Sequence, residues 1–167
     1  MEYKMISLDS KSELQAKFSK LPEPKVLIDC SNSSPNQYKL INIDTLVVGI
    51  IDHTFGVPIQ IEAIDDNSAL LIGHESQIDF VSIQTARILW TVKVDSVFFQ
   101  FKRLQKINSI IVIEETGMFA LDQAGNRIWS LSTDIITDSE IEDSYVKIKT
   151  IEEDELKVSS RTGERLR

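Results

Sequence analysis

Ala124-Gly125-Asn126-Arg127-Ile128-Trp129 is the phrase on which the reading of this 167-residue chain turns, because it is heard three times. Thr85-Ala86-Arg87-Ile88-Leu89-Trp90 precedes it and Thr162-Gly163-Glu164-Arg165-Leu166-Arg167 follows, with Trp90 and Trp129 39 residues apart and Trp129 and Arg167 38 apart. A period of this length marks stacked supersecondary units that bury their apolar faces only against one another. The units align beyond their ends. Leu71-Ile72 with residues 78–82, Val112-Ile113 with residues 118–122, and Ile148-Lys149 with residues 156–159 each give strand, turn, strand before the terminal phrase. Gly125 and Gly163 take positive φ at low cost, and Asp122 can bond nearby amides, so a common turn geometry is expected.

Outward from the repeat, short apolar runs separated by turn residues predict strands at 25–29, 38–43, 45–51, 59–64, 69–73, 78–83, 88–94, 97–102, 109–114, 118–121, 127–131, 145–150, 156–159 and 164–166. One helix is expected over residues 10–21. Ser10 and Glu13 stand in capping-box spacing, Leu14, Phe18 and Leu21 mark one face, and Pro22 and Pro24 end it. The expected fold is mainly β and antiparallel: one domain over 1–167, with helix, strand and loop in 1–37, a degenerate unit in 38–68, and three propeller-like units in 69–167 forming an open or partner-completed arc.

The phrase resembles the pyrroloquinoline-quinone-type β-propeller repeat, whose blades carry A-x-D-x-x-T-G-K-x-x-W. Ala120, Asp122, Gly125, Arg127 and Trp129 match with one residue deleted. Ser82, Thr85, Ala86, Arg87 and Trp90 match more loosely, and Ser159, Thr162, Gly163 and Arg167 match without the Trp. With Phe55-Gly56-Val57-Pro58 ahead of the first unit, the chain is also similar to small bacterial proteins of unassigned role that carry such blades. The resemblance implies that Trp90 and Trp129 dock sheet on sheet. It does not carry the cofactor over, since that family uses about eight blades, paired cysteines and a calcium site, and Cys30 is single and outside the repeat. No cofactor is expected. An incomplete arc leaves apolar flanks to be covered by residues 38–64, by a second copy of the chain, or by a partner protein.

The net charge of −8 is concentrated. Residues 134–155 hold nine acids against Lys147 and Lys149, a net of −7. That sign repels phosphate backbones and argues against nucleic-acid binding. The longest apolar runs, 46–51 and 110–113, fall well short of the roughly 18 residues a membrane helix needs. A single cysteine and an amino terminus without signal-peptide pattern lead to a cytoplasmic expectation.

Catalytic signatures are missing from the pattern. His53 sits beside Asp52 and His74 beside Glu75, but strand neighbours point to opposite faces, so neither pair works as acid and base. A metal site would have to be assembled from distant residues, and Cys30 has no local base. Asp65-Asp66-Asn67 and Glu152-Glu153-Asp154-Glu155 have turn chemistry, and Lys102-Arg103-Leu104-Gln105-Lys106 reads as a solvated hairpin end. Phe98 falls on the polar side of its strand, opposite Val97, Phe99 and Phe101, and is either covered by a neighbouring unit or an exposed aromatic anchor.

The expected function is a non-enzymatic protein-interaction module, in concrete form an immunity or inhibitor protein. Glu140, Glu142, Asp143, Glu152, Glu153, Asp154, Glu155 and Phe98 are the candidate contacts to a basic partner. A ligand-binding role with Trp90 or Trp129 as a stacking wall is the alternative. A hydrolase built on His53 or His74 with distant carboxylates is the third.

Overall fold

Asp122 shows how the repeat folds. Its Oδ1 accepts from the amides of Ala124 at 2.9 Å and Asn126 at 2.8 Å, and its Oδ2 accepts from the Asn126 side chain at 2.9 Å. The turn closes with Gly125 at φ 82°. The same left-handed corner recurs in the other two copies, at Ala86 with φ 48° and Gly163 with φ 70°. Ser82 and Ser159 replace the aspartate there, their hydroxyls accepting from Thr85 and from Arg161 and Thr162.

The computed structural model describes residues 2–30, 34–43, 45–54, 56–64, 68–152 and 155–167. The element order is β1 (Tyr3–Leu8), α1 (Lys11–Lys20), β2 (Lys25–Asp29), β3 (Gln37–Ile43), β4 (Leu46–Asp52), β5 (Gln60–Ile64), β6 (Ala69–His74), β7 (Gln77–Ser82), β8 (Arg87–Lys93), β9 (Phe98–Leu104), β10 (Ser109–Glu114), β11 (Gly117–Leu121), β12 (Arg127–Ser132), β13 (Ile136–Ile141), β14 (Tyr145–Thr150) and β15 (Glu155–Ser159). The chain is mainly β, and it divides into two compact units, Met1–Lys93 and Val94–Arg167. No helix among the described residues is long and apolar enough to cross a membrane.

The first unit is layered helix on sheet on sheet. The helix starts where the capping pattern predicts: the amide of Glu13 donates to Ser10 Oγ at 3.2 Å, and Glu13 Oε2 accepts from the amide of Asp9 at 3.0 Å. A mixed sheet of order β1-β3-β4-β2 takes α1 on one face, where Leu14 is fully buried among Leu8, Leu40, Val47 and Ile51. Burial of a leucine of this kind contributes roughly 1.5–3 kcal/mol. Gly49 permits the close approach, since a Cβ there would lie 2.9 Å from Leu27 Cδ1 and 3.1 Å from the Phe18 ring. The meander β5-β6-β7-β8 covers the other face, so that Ile28, Ile41, Val48 and Ile50 meet Leu70, Ile72 and Val81. Strand β4, covered on both sides, is buried throughout, as a continuous apolar run requires.

Two expectations change here. Residues 38–64 are not a unit of their own: β3 and β4 pair with β1 and, in parallel, with β2, whereas β5 opens the next meander. Strand β1 was not foreseen. It is an edge strand with Tyr3 and Met5 exposed on one face and Lys4 exposed on the other, so polar and apolar residues do not sort by face and no alternation marks it.

In the second unit the meander β9-β10-β11-β12 faces the three-stranded meander β13-β14-β15. Ile111, Ile113, Met118 and Ala120 pack on Ile136, Ile141, Val146, Ile148 and Val158. Strand β13 was also unforeseen, because the four residues between its buried ends Ile136 and Ile141 are polar. The expected strand over 164–166 is reduced to one bridge between Val158 and Arg165.

Phe98 is corrected as well. Register shifts between Ile113 and Glu114, which pair with Gln100 and Phe98, so Phe99 is an extra residue on β9. Such a bulge inverts the alternation on one side of it. Phe99, like Leu104, joins the Ile111 face, and Phe98 sits with Phe101 at 6.1 Å between ring centroids. Phe98 is 0% exposed and is not a surface anchor.

Candidate functional site

The acidic segment is distributed by hairpin topology. On the outer face of β13–β15, Asp138 is opposite Lys149, which is opposite Glu155, and Glu140 is opposite Lys147, which is opposite Lys157. Acids and lysines are therefore interspersed across the strands, alternating along the Asp138–Lys149–Glu155 row but not along Glu140–Lys147–Lys157, and Lys147 Nζ reaches Glu155 at 3.1 Å. The surplus acids lie in turns. Glu142 and Asp143 join β13 to β14, and Glu152 follows β14; Glu153 and Asp154 lie outside the described residues. Six-residue β14 separates these corners by roughly 17 Å at the usual strand rise. One continuous acidic face, as the sequence suggests, becomes two acidic ends and a mixed-charge face.

The β13–β14 corner is held firmly. Lys102 Nζ donates to the Ile141 carbonyl, Lys106 Nζ to Asp143 Oδ2, and Ser160 Oγ to the Glu142 carbonyl at 3.0 Å. The Lys106 ammonium lowers the Asp143 carboxyl from its ordinary range, and that carboxylate raises Lys106 in return. Glu140, Glu142 and Asp143 are all exposed.

Both tryptophans are engaged within their own units. Trp90 stacks on Phe80 at 5.2 Å and 22°. Trp129 packs in the core between β9–β12 and β13–β15, and its Nε1 donates to the Ser160 carbonyl at 3.1 Å. Its ring lies flat against Gly163, where a Cβ would be 2.7 Å away.

A second constellation, which the pattern of the sequence did not bring together, lies inside the first unit. The amide of Cys30 donates to the Ile51 carbonyl at 2.8 Å, which sets Cys30 beside Asp52 at the carboxyl ends of the parallel strands β2 and β4. Across the sandwich, His74 ends β6 and Asp79 lies in β7. His74 Nδ1 meets Asp52 Oδ2 at 2.5 Å, and His74 Nε2 meets Asp79 Oδ2 at 2.9 Å and Cys30 Sγ at 3.9 Å. Gln77 Nε2 donates to both Asp79 oxygens at 3.0 and 2.8 Å, and Thr91 Oγ1 donates to Asp79 Oδ1. Asp52 Oδ1 accepts from the amide of His53 at 2.8 Å and from Ser76 Oγ at 3.3 Å. Exposure is 1% for Asp52 and His74, 0% for Asp79 and 8% for Cys30.

Burial works against a charged imidazole, yet the bonds to Asp52, Asp79 and Cys30 outweigh it and hold His74 well above the usual histidine range. Both ring nitrogens then donate, one to each carboxylate, and the cluster is an imidazolium between two anions. It is a donor set for a proton or a cation. Cys30, His74 and Asp79 each offer one ligand atom within 4.8 Å of the others. His53, the other histidine, is exposed and contributes its backbone to Asp52. The local signal was weak: Gln77 and Asp79 are polar residues in a buried strand, but Asp52 and Cys30, which complete the cluster around His74, lie 22 and 44 residues before it.

No family model matches the sequence, and no curated protein matches it. Solved structures do. The dihydro-heme d1 dehydrogenase NirN in complex with DHE superposes with a TM-score of 0.56 at 11% identity, over 78% of this chain and 32% of that one. The computationally designed Ika4 protein gives 0.53 at 16% identity, over 68% and 73%. BamB from Moraxella catarrhalis gives 0.46 at 18% identity, over 66% and 37%. The chain thus spans about a third of the length of NirN and of BamB, both β-propellers of the quinoprotein-like type. At 11% and 16% identity the likeness to NirN and Ika4 is one of fold alone: this chain is mainly β with propeller-like meanders.

Proposed function

We propose that the chain is a non-enzymatic protein-interaction module in which quinoprotein-type meanders serve as scaffold and the acidic β13–β14 corner docks a basic partner. The observation that supports this reading is the corner itself. Glu142 and Asp143 are exposed on a turn fixed by bonds from Lys102, Lys106 and Ser160 to Ile141, Asp143 and Glu142, and Glu140 is exposed on strand β13 leading into it. A fixed epitope loses little entropy on docking, and clustered charge speeds encounter with an oppositely charged surface. An immunity or inhibitor protein covering a basic toxin surface is the concrete form.

The experiment compares the two acidic ends. Immobilised wild type, the double variant Glu140→Lys/Glu142→Lys and the single variant Glu152→Lys are each exposed to lysate of the native organism at low and physiological salt. The expected result is a basic partner whose affinity falls roughly tenfold or more with the double variant, weakens with salt, and changes little with Glu152→Lys. Recovery of the same partner at equal affinity by the double variant overturns the reading.

A further inference from the structure

We propose that Cys30, His74 and Asp79 form a binding site for a zinc-class divalent cation, with Asp52 as the carboxylate that orients the His74 ring. The donor types select the ion. A thiolate and an imidazole beside one carboxylate oxygen suit zinc and its borderline neighbours, whereas calcium and magnesium take oxygen donors. The spacing also fits. Bonds of about 2.0–2.3 Å to a tetrahedral centre place ligand atoms roughly 3.3–3.6 Å apart. The three donor atoms here, with Nε2 at 2.9 Å from Asp79 Oδ2 and 3.9 Å from Cys30 Sγ, bracket that range.

The surroundings have the form of a metal-site support. Ligating histidines are usually oriented by a carboxylate on the other ring nitrogen, and Asp52 on Nδ1 occupies that role. Asp79 is itself fixed by Gln77 and Thr91. Beside Asp52, Gln37 pairs directly across the β3–β4 ladder and keeps a buried Nε2 with no hydrogen-bond partner among the described residues. The polar shell at this end of the sandwich is thus not hydrogen-bonded to completion.

Binding requires His74 Nε2 and Cys30 Sγ to give up to solvent any proton they carry, because the metal takes the lone pairs those protons would occupy.

Cobalt(II) is the probe. Protein freed of metal by chelator is titrated with Co2+, and Zn2+ is then added. The expected result is one Co2+ per chain, with the intense visible bands of a four-coordinate ion and a near-ultraviolet thiolate charge-transfer band, both abolished by stoichiometric Zn2+. Cys30→Ser should remove the charge-transfer band, and Asp52→Asn should weaken cobalt affinity roughly 10- to 100-fold while leaving the stoichiometry at one. Circular dichroism establishes that each variant is folded. A folded wild type that gives only the spectrum of hydrated cobalt, or bands that survive both Cys30→Ser and Asp79→Asn unchanged, overturns the site.

Discussion

The hairpins β6–β7 and β10–β11 occupy equivalent places in consecutive meanders, and each ends in a buried ionisable residue. His74 pairs with Gln77 at the first, and Glu114 pairs with Gly117 at the second. Glu114, 6% exposed, is satisfied by backbone: its Oε2 accepts from the amides of Asp95 at 2.6 Å and Ser96 at 3.0 Å, in the segment leading into β9. His74 is satisfied by side chains gathered from β4 and β7, with Cys30 alongside. The contrast teaches that one hairpin position can serve as a structural clasp or as a chemical site. Amides donate at fixed points and leave nothing to exchange. Carboxylates and a thiol around an imidazole hold protons that a cation can replace.

The largest expected effect is at the chemical site. His74→Ala leaves Asp52 and Asp79 as buried anions without their counterion, and it should destabilise the protein by about 3–5 kcal/mol in denaturant unfolding. A loss below about 1 kcal/mol would mean that the imidazole and carboxylates are not a coupled group. Glu114→Ala should cost less, about 2 kcal/mol, because it orphans two amides that water can reach once the side chain is gone. If Glu114→Ala proves the costlier change, the distinction between the two hairpins fails.

A smaller effect separates the turns that follow. Gly125 holds the left-handed corner of the second meander without strain, whereas Ala86 holds the same corner of the first with a Cβ. Ala86→Gly should stabilise by about 0.5–1 kcal/mol, the relief of left-handed strain exceeding the added freedom of the unfolded chain. Thermal unfolding at one protein concentration reads this directly, and a fall in Tm would show that Ala86 is not strained.

The smallest effect is in pH dependence. The Asn126 side chain and then its backbone amide lower the Asp122 carboxyl from its ordinary range, with smaller help from the amides of Ala124 and Gly125 and against an opposing effect of burial. Its folded value lies below its unfolded one, so its contribution is present above about pH 4 and lost as pH falls through the lower folded value. Asp122→Asn should shallow the acid limb of the stability profile and leave the slope near neutrality unchanged. An acid limb identical to wild type would contradict the turn's electrostatic role.

Local chemistry was legible in the sequence. Ser10 and Glu13 mark the start of α1, the apolar run of β4 announces a strand covered on both faces, and Asp122 with Gly125 specifies its turn, because each depends on neighbours within a few residues. Features made by pairing were not. One extra residue at Phe99 moves Phe98 from a polar face to a buried one, and no pattern of alternation records a bulge. The acids of 134–155 were visible as charge, but an antiparallel meander sends successive turns to opposite ends. The His74 cluster is furthest from reach, since Cys30, Asp52 and His74 meet only when the β1–β4 sheet stacks on the β5–β8 meander.

The most direct test of this account is the stability, in chelator-treated buffer, of His74→Ala alone and combined with Asp52→Asn and Asp79→Asn. If His74 neutralises two buried carboxylates, removing their charge should restore a large part of the loss, and the triple variant will be more stable than the single one. A triple variant no more stable than His74→Ala would contradict the charge network at the centre of the first unit.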